Sequence, residues 1–298
     1  MIGIDFATDD GFVYAPRRIN TMKNVLNQII QLQELQLAVA EQQVVSKSST
    51  DDLNKSINDL VNQLPPDISN RYTRLQKRHP MVVVPVVRGT CPLCAIALPV
   101  ALVNQVRAAE TIHACPHCGR FLYYPESVAR QQAKKTSGDK MLPKGIARFS
   151  DEALMIPRLK AETREEALAE LAGAMAVAGF IENADSVCEL ALKREAMIST
   201  ALESGLAFPH VRNVEGGGLT LALGLKPKGL AFGAPDGKLT KIVFLMVIPT
   251  PSSAFYLRLL AGLVKTFADA DARKSMLDAE TSAEMWKTLT KLTRLTVT

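Results

Sequence analysis

Two groups of residues have the types and spacing to do chemistry. The first is Cys91-Pro-Leu-Cys94, followed after twenty intervening residues by Cys115-Pro-His-Cys118-Gly-Arg. Each Cys-x-x-Cys closes a tight turn that points two sulfurs at one spot. Gly119 suits a backbone that turns its N–H groups toward thiolates. Two such knuckles make a tetrahedral four-sulfur site, for which zinc is the usual metal. Four cysteines complete the shell, leaving His113 and His117 as spare ligands. A closed shell has no open position for substrate, so the expected metal is structural: it holds together a segment too small for its own core.

The second group centres on Gly205-Leu206-Ala207-Phe208-Pro209-His210. Pro209 fixes its own φ and pushes Phe208 into an extended conformation, which predicts His210 just past a strand end. A neutral imidazole there is a competent nucleophile near pH 7 and can accept a phosphoryl group. On this stretch alone, a polar core or surface histidine is the commoner outcome. Arg194-Glu195 and Ser199-Thr200 lie upstream, and Val211-Arg212 follows.

Several elements must position these groups. Residues 1–14 lack periodicity and read as a tail. From Arg17 to Val45 apolar residues recur three or four apart (Ile19, Met22, Leu26, Ile29, Leu32), which predicts an amphipathic helix. After a polar break, where Ser49, Thr50 and Asp51 are all able to cap, Leu53, Ile57, Leu60 and Leu64 repeat at heptad spacing. Pro65-Pro66 interrupts the stripe, which resumes at Ile68, Tyr72 and Leu75. The expectation over 15–79 is an antiparallel, coiled-coil-like helical hairpin bent at the two prolines. Met81 to Val87 is β-branched and opens the cysteine segment, 80–126. Residues 127–150 are polar and basic and read as a linker. In 151–298, Thr163-Arg-Glu-Glu166 is a capping box. Asn183 or Asp185 starts a second helix that runs through Val187, Leu190, Leu192 and Met197. Arg194 falls late on that helix, and Cys188 within it is expected to be buried as an apolar residue. Strand-like runs at 206–208, 219–225 and 241–248 precede helices at about 253–268, 270–278 and 281–294. Strands mixed with helices argue for an α/β sandwich.

The order Arg-Glu, Ser-Thr, Gly-x-Ala-x-Pro-His across 151–298 resembles the type-2 enzyme IIA domain of the bacterial phosphotransferase system, the fructose/mannitol and nitrogen-regulatory class. The resemblance implies a sandwich built on a mixed sheet, with His210 as phosphoryl acceptor, Arg194 facing it, and Ser199 and Thr200 donating hydrogen bonds nearby. Related domains usually carry a second histidine where this chain has Tyr256, just before Leu257-Arg-Leu-Leu260. A phenol can hydrogen-bond but cannot act as an imidazole, which bears on transfer rate and onward transfer. Leu64-Pro-Pro, Tyr72, Gly89-Thr-Cys-Pro-Leu-Cys and Cys115-Pro-His-Cys-Gly-Arg-Phe-Leu-Tyr together resemble bacterial proteins that join a coiled coil to a four-cysteine zinc ribbon. The whole is expected to be multidomain: helical hairpin, zinc ribbon and α/β sandwich.

Composition narrows the classes. A chain of 298 residues with 47% hydrophobic and 22% charged residues has the make-up of a globular protein of two or more domains. The longest apolar run, Ile242 to Ile248, is too short to span a bilayer, and the start carries no basic region before an apolar one, so no membrane insertion is expected and the cytoplasm is the expected location. Residues 1–150 carry 18 Lys/Arg against 12 Asp/Glu, and residues 151–298 carry 17 against 18. The basic excess of the first half permits an acidic partner or nucleic acid. The leading expectation is a regulatory phosphocarrier, loaded by a histidine-containing phosphocarrier protein, whose helical arm or zinc ribbon engages a regulatory protein. The alternatives are a non-catalytic zinc-ribbon adaptor or nucleic-acid-binding protein with a degenerate enzyme IIA domain, and a sugar-permease subunit.

Overall fold

The structure is a computed structural model of the 298-residue chain, described here over residues 13–14, 19–45, 50–125, 144–214, 218–249 and 253–297. The chain divides into two compact units, Met1–Ser127 and Val128–Thr298.

In the first unit the predicted helices form close to their expected limits: α1 (Ile19–Val45), α2 (Asp51–Gln63) and α3 (Pro66–Gln76). Pro66 sits in the first turn of α3, where its missing N–H costs nothing. Thr50 occupies the N-cap position of α2 without capping it; its hydroxyl instead accepts from Asn54 Nδ2 at 3.1 Å. A small sheet follows. Its strands are β1 (Val13–Tyr14), β2 (Val83–Pro85), β3 (Ile112–Ala114) and β4 (Phe121–Tyr123), in the order β1-β3-β4-β2, with α4 (Val100–Ala108) between β2 and β3. Val13–Tyr14, expected as tail, pairs antiparallel with β3; residues 1–12 lie outside the described residues.

The hairpin and the cysteine segment, separated at residue 80 in the sequence reading, share one core. Met22, Ile29 and Leu32 of α1 and Ile68 and Tyr72 of α3 pack with Val82, Val83, Ile112 and Phe121. The reason is area: a ribbon of three-residue strands has too little apolar surface to bury alone. Gln33 fastens the two parts together. Its Oε1 accepts from Val82 N at 2.6 Å and Val83 N at 2.9 Å, while its Nε2 donates to Val83 O at 2.8 Å. The amide thus stands in for a neighbouring strand along the free edge of β2, which blunts that edge against other chains. Gln33 is 2% exposed, so no water can replace these bonds. Gln33→Leu orphans three buried backbone groups and is expected to cost about 3 kcal/mol or more. An unchanged denaturation midpoint in that variant would remove the claim.

The second unit is an α/β sandwich on a mixed sheet. Its strands are β5 (Met155–Ile156), β6 (Ala201–Leu202), β7 (Leu206–Ala207), β8 (His210–Val214), β9 (Thr220–Leu230) and β10 (Thr240–Pro249). The order is β5-β9-β10-β7-β6, with β8 also on β10. The helices are α5 (Arg164–Val177), α6 (Ala184–Met197), α7 (Ser253–Phe267), α8 (Ala270–Leu277) and α9 (Ser282–Thr293). β10 is central and fully apolar from Ile242 to Ile248, as a strand covered on both faces must be. The Thr163 capping box is present, and the Asn183 side chain caps α6. The predicted linker ends early: Ser150 Oγ donates to Leu221 O at 2.7 Å, tying residues 145–150 to β9, whereas 127–143 lie outside the described residues. No helix among the described residues is long and apolar enough to cross a membrane.

Candidate functional sites

The four cysteines converge. Their sulfurs lie within 4.8 Å of one another, with Cys91 to Cys118 and Cys94 to Cys115 both 3.7 Å apart. A tetrahedron with 2.3 Å zinc–sulfur bonds has edges of about 3.8 Å, so these two pairs are spaced as a zinc shell requires. The two knuckles are built alike. Cys91 O accepts from Ala95 N at 2.8 Å, and Cys115 O from Gly119 N at 2.9 Å. Both turns end in a left-handed residue, Ala95 at φ 58° and Gly119 at φ 76°. In the metal-free thiols, burial pushes Cys91 up to about 12. Burial acts on Cys118 as well, but hydrogen bonds from Arg120, Cys115 and Cys91 together outweigh it and bring that thiol down to about 7. A bound cation would take all four as thiolates. Arg71 Nη2 donates to Gly119 O at 2.9 Å, so α3 is bonded directly to the second knuckle.

His210 lies on β8, beside the central strand β10 of the second unit, and strand alternation explains how. β7 pairs with β10 in parallel at Ile242↔Leu206 and Val243↔Ala207, and β8 resumes at Met246↔His210 and Val247↔Val211. The register is unbroken across Phe208-Pro209, so the two short strands are one line along β10. His210 therefore begins a strand rather than lying past the end of one, as the sequence suggested: Pro209 removes a donor but keeps its carbonyl bonded to Met246 N at 2.9 Å. Phe208, His210 and Arg212 project to one face. α7 covers that face. Phe208 stacks on Phe244 at 4.9 Å, Phe244 meets Phe267 at 5.1 Å, and Tyr256, on the same helix, meets the His210 ring at 5.1 Å. The Arg212 guanidinium lies 4.7 Å from the Tyr256 ring centroid.

The imidazole has a defined orientation. His210 is 1% exposed, and its Nδ1 is 3.2 Å from Phe208 O and 3.2 Å from Tyr256 Oη. A carbonyl can only accept, so the bond to Phe208 requires the hydrogen on Nδ1. In that tautomer the lone pair is on Nε2, which is itself buried.

The other expected site residues play different parts. Tyr256 is brought to His210, but against Nδ1. Arg194 Nη1 donates to Ile198 O at 3.0 Å, closing the end of α6. Ser199 Oγ donates to Phe232 O at 3.0 Å. Thr200 donates to Glu195 through both its N–H, at 3.0 Å, and its hydroxyl, while Thr200 O accepts from Phe208 N at 3.2 Å. Ser199 and Thr200 thus spend their hydroxyls bracing the loop that leads to Phe208, two residues before the histidine. The buried stripe of α6 is Val187, Ala191 and Glu195, spaced by four, and Met197 is exposed. Cys188 is half-buried, off that stripe, with its thiol 3.9 Å from Glu165 O. Sequence reasoning assigned no role to Arg212 or Glu195. The signal for Arg212 was its position two residues beyond His210 on a strand.

Glu195 adds a pH dependence. Burial raises its carboxyl above the ordinary 4.5, against the opposing pull of the two Thr200 donors. The folded form then holds the proton more tightly than the unfolded form. Its contribution is complete at pH below 4.5 and is lost as pH rises through the elevated folded value. Denaturant unfolding across pH 4–8 is expected to show this decline in the wild type and a flatter profile in Glu195→Gln. Identical pH profiles would contradict it.

The comparisons agree with this architecture. Residues 148–292, the α/β sandwich, match the family described as phosphoenolpyruvate-dependent sugar phosphotransferase system, EIIA 2. The chain belongs to that family. Residues 90–122 match the C4-type zinc ribbon domain. The nitrogen regulatory protein of Bradyrhizobium diazoefficiens is 31% identical over 125 residues, 41% of this chain and 79% of that protein. The fructose-specific EIIA component of Haloferax volcanii is 27% identical over 118 residues, 40% of this chain and 77% of that protein. Among solved structures, nitrogen regulatory protein IIA-Ntr from Neisseria meningitidis is 22% identical, with 48% of this chain and 98% of that one covered at a TM-score of 0.45.

Proposed function

We propose that this chain is a regulatory phosphocarrier that accepts a phosphoryl group on Nε2 of His210 from a histidine-phosphorylated carrier protein. The observation that supports the reading is the Phe208 carbonyl 3.2 Å from Nδ1 of His210, a contact that favours the tautomer with its lone pair on Nε2. The regulatory role, rather than sugar uptake, is supported by the 31% identity to a nitrogen regulatory protein and by the additional N-terminal unit. In that unit zinc holds the four cysteines as structural ligands, and the hairpin and ribbon together engage a regulatory protein partner. A phosphoryl group adds close to two negative charges, enough to change what a neighbouring surface binds.

The test is incubation with phosphoenolpyruvate, enzyme I and the histidine-containing carrier protein. Wild type is expected to take up one acid-labile, base-stable phosphoryl group. No label on wild type, with an established enzyme IIA labelled alongside, would overturn the reading.

A further inference from the structure

Two groups share Nδ1 of His210. Phe208 O and Tyr256 Oη each lie 3.2 Å from it. They are not equivalent partners. A carbonyl can only accept, so Phe208 O bonds Nδ1 only while that nitrogen carries a hydrogen. A phenol both donates and accepts, so Tyr256 can bond Nδ1 with or without the hydrogen by rotating its O–H. Of the two, Tyr256 alone can bond the ring once that proton has gone. Both side chains are 1% exposed, which keeps bulk water from this nitrogen.

The difference matters when Nε2 carries a phosphoryl group. In the transfer, the Nε2 lone pair forms the new N–P bond as the donor's N–P bond breaks, and that electron pair returns to the donor imidazole. The product ring is first an imidazolium with its hydrogen on Nδ1. From that form, attack of water on phosphorus breaks the N–P bond and leaves neutral imidazole, a good leaving group. Once the Nδ1 proton has passed to solvent, the same cleavage must leave imidazolate, a far poorer one. We propose that Tyr256 donates its hydroxyl hydrogen to the deprotonated Nδ1 of phosphorylated His210 and so holds the phosphoryl group in its slow-leaving form, making the second unit a phosphoryl store rather than a fast relay. This rests on His210 being the acceptor through Nε2. Tyr256 is a positioning residue here, acting through the ring and not on the phosphoryl oxygens. The protonated ring gains less from the phenol, because its hydrogen already has Phe208 O as acceptor. The surrounding charges are placed as follows. Arg212 lies 4.7 Å from the Tyr256 ring centroid, and its positive charge also disfavours a protonated imidazole. β10 is apolar from Ile242 to Ile248 where it runs beside β8. α6, which packs on β8, carries Arg194 and Glu195, bonded to Ile198 O and to Thr200.

The experiment loads the full chain from phosphoenolpyruvate, enzyme I and the carrier protein, removes these, and follows loss of phosphate to water from pH 6 to 9. Tyr256→Phe keeps the ring, and its melting temperature checks the fold. The variant is expected to lose its phosphoryl group roughly fivefold faster at the alkaline end, the worth of one hydrogen bond. The difference should vanish at the acid end, where Nδ1 is protonated in both, so the inflection of the lifetime profile moves to higher pH. An equal or longer lifetime in Tyr256→Phe overturns the proposal. So does a lifetime shortened by one factor at every pH, which would show only a loosened site. Phosphorus on Nδ1, read from ¹⁵N–³¹P coupling, overturns it because that nitrogen is then no partner for the phenol. A Tyr256→Phe chain that takes no label beside a labelled wild type also overturns it, by placing the phenol in the transfer step itself. An unlabelled wild type instead defeats the acceptor reading, and this one with it.

Discussion

Chelation of zinc from the purified chain is expected to unfold the cysteine segment and to lower the stability of the helical hairpin with it. The ribbon's own apolar cluster is small, and two of its buried members, Cys91 and Cys115, belong to the four-cysteine group. Without the cation, the sulfurs, 3.7 Å apart in pairs, must stay protonated or repel as thiolates. Structural zinc sites supply about 10–16 kcal/mol of apparent binding energy at neutral pH, more than a small domain's whole margin of stability. The hairpin shares the loss because Phe121, Ile112, Val82 and Val83 complete its core, and because Arg71 and Gln33 bond to the ribbon backbone. The wild type should contain about one zinc per chain, and the Cys115→Ser, Cys118→Ser double variant none. Far-ultraviolet circular dichroism should show a lower first melting transition in the metal-free protein. Equal metal content in wild type and double variant, or a melting curve indifferent to chelator, would show that these cysteines hold no structural metal.

Replacing His210 by Ala is expected to abolish phosphoryl uptake while leaving the second unit folded. The chain has four histidines, His79, His113, His117 and His210, and only the last lies in residues 148–292. No other imidazole of that domain can take over, so label on the domain should be lost altogether rather than merely slowed. Truncation leaves a small cavity beside Tyr256 and Phe208, which costs on the order of 1–3 kcal/mol of stability. A lowered melting temperature with an intact cooperative transition is therefore consistent; retention of label is not. Label on His79, His113 or His117 would move the acceptor to the other unit.

The cysteine spacing was enough to find the metal site, because Cys-x-x-Cys closes a local turn and needs no distant contact to bring its sulfurs together. The long helices were legible for the same kind of reason: α1 shows its apolar face every three or four residues, and Thr163 and Asn183 announce helix starts through bonds to residues three positions away. β10 was legible as an unbroken apolar run. The short strands were not. Val13–Tyr14, Met155–Ile156 and Ala201–Leu202 are two residues each, too brief for any period, and exist only through their partners.

The candidate site divides in the same way. Residue order alone was enough to nominate His210, Arg194, Ser199, Thr200 and Tyr256. Their roles depended on which atoms the fold brings together. Register along β10 made His210 the start of a strand, and alternation set Arg212 beside it. The angle of α7 chose Tyr256 for Nδ1, and the i, i+4 stripe of α6 carried Glu195 inward to meet Thr200. Local sequence determines turns, caps and helix faces, since those are bonds between near neighbours. Which nitrogen of a histidine is held, and which cation shares its strand face, is settled only when strands and helices far apart in the chain pack together.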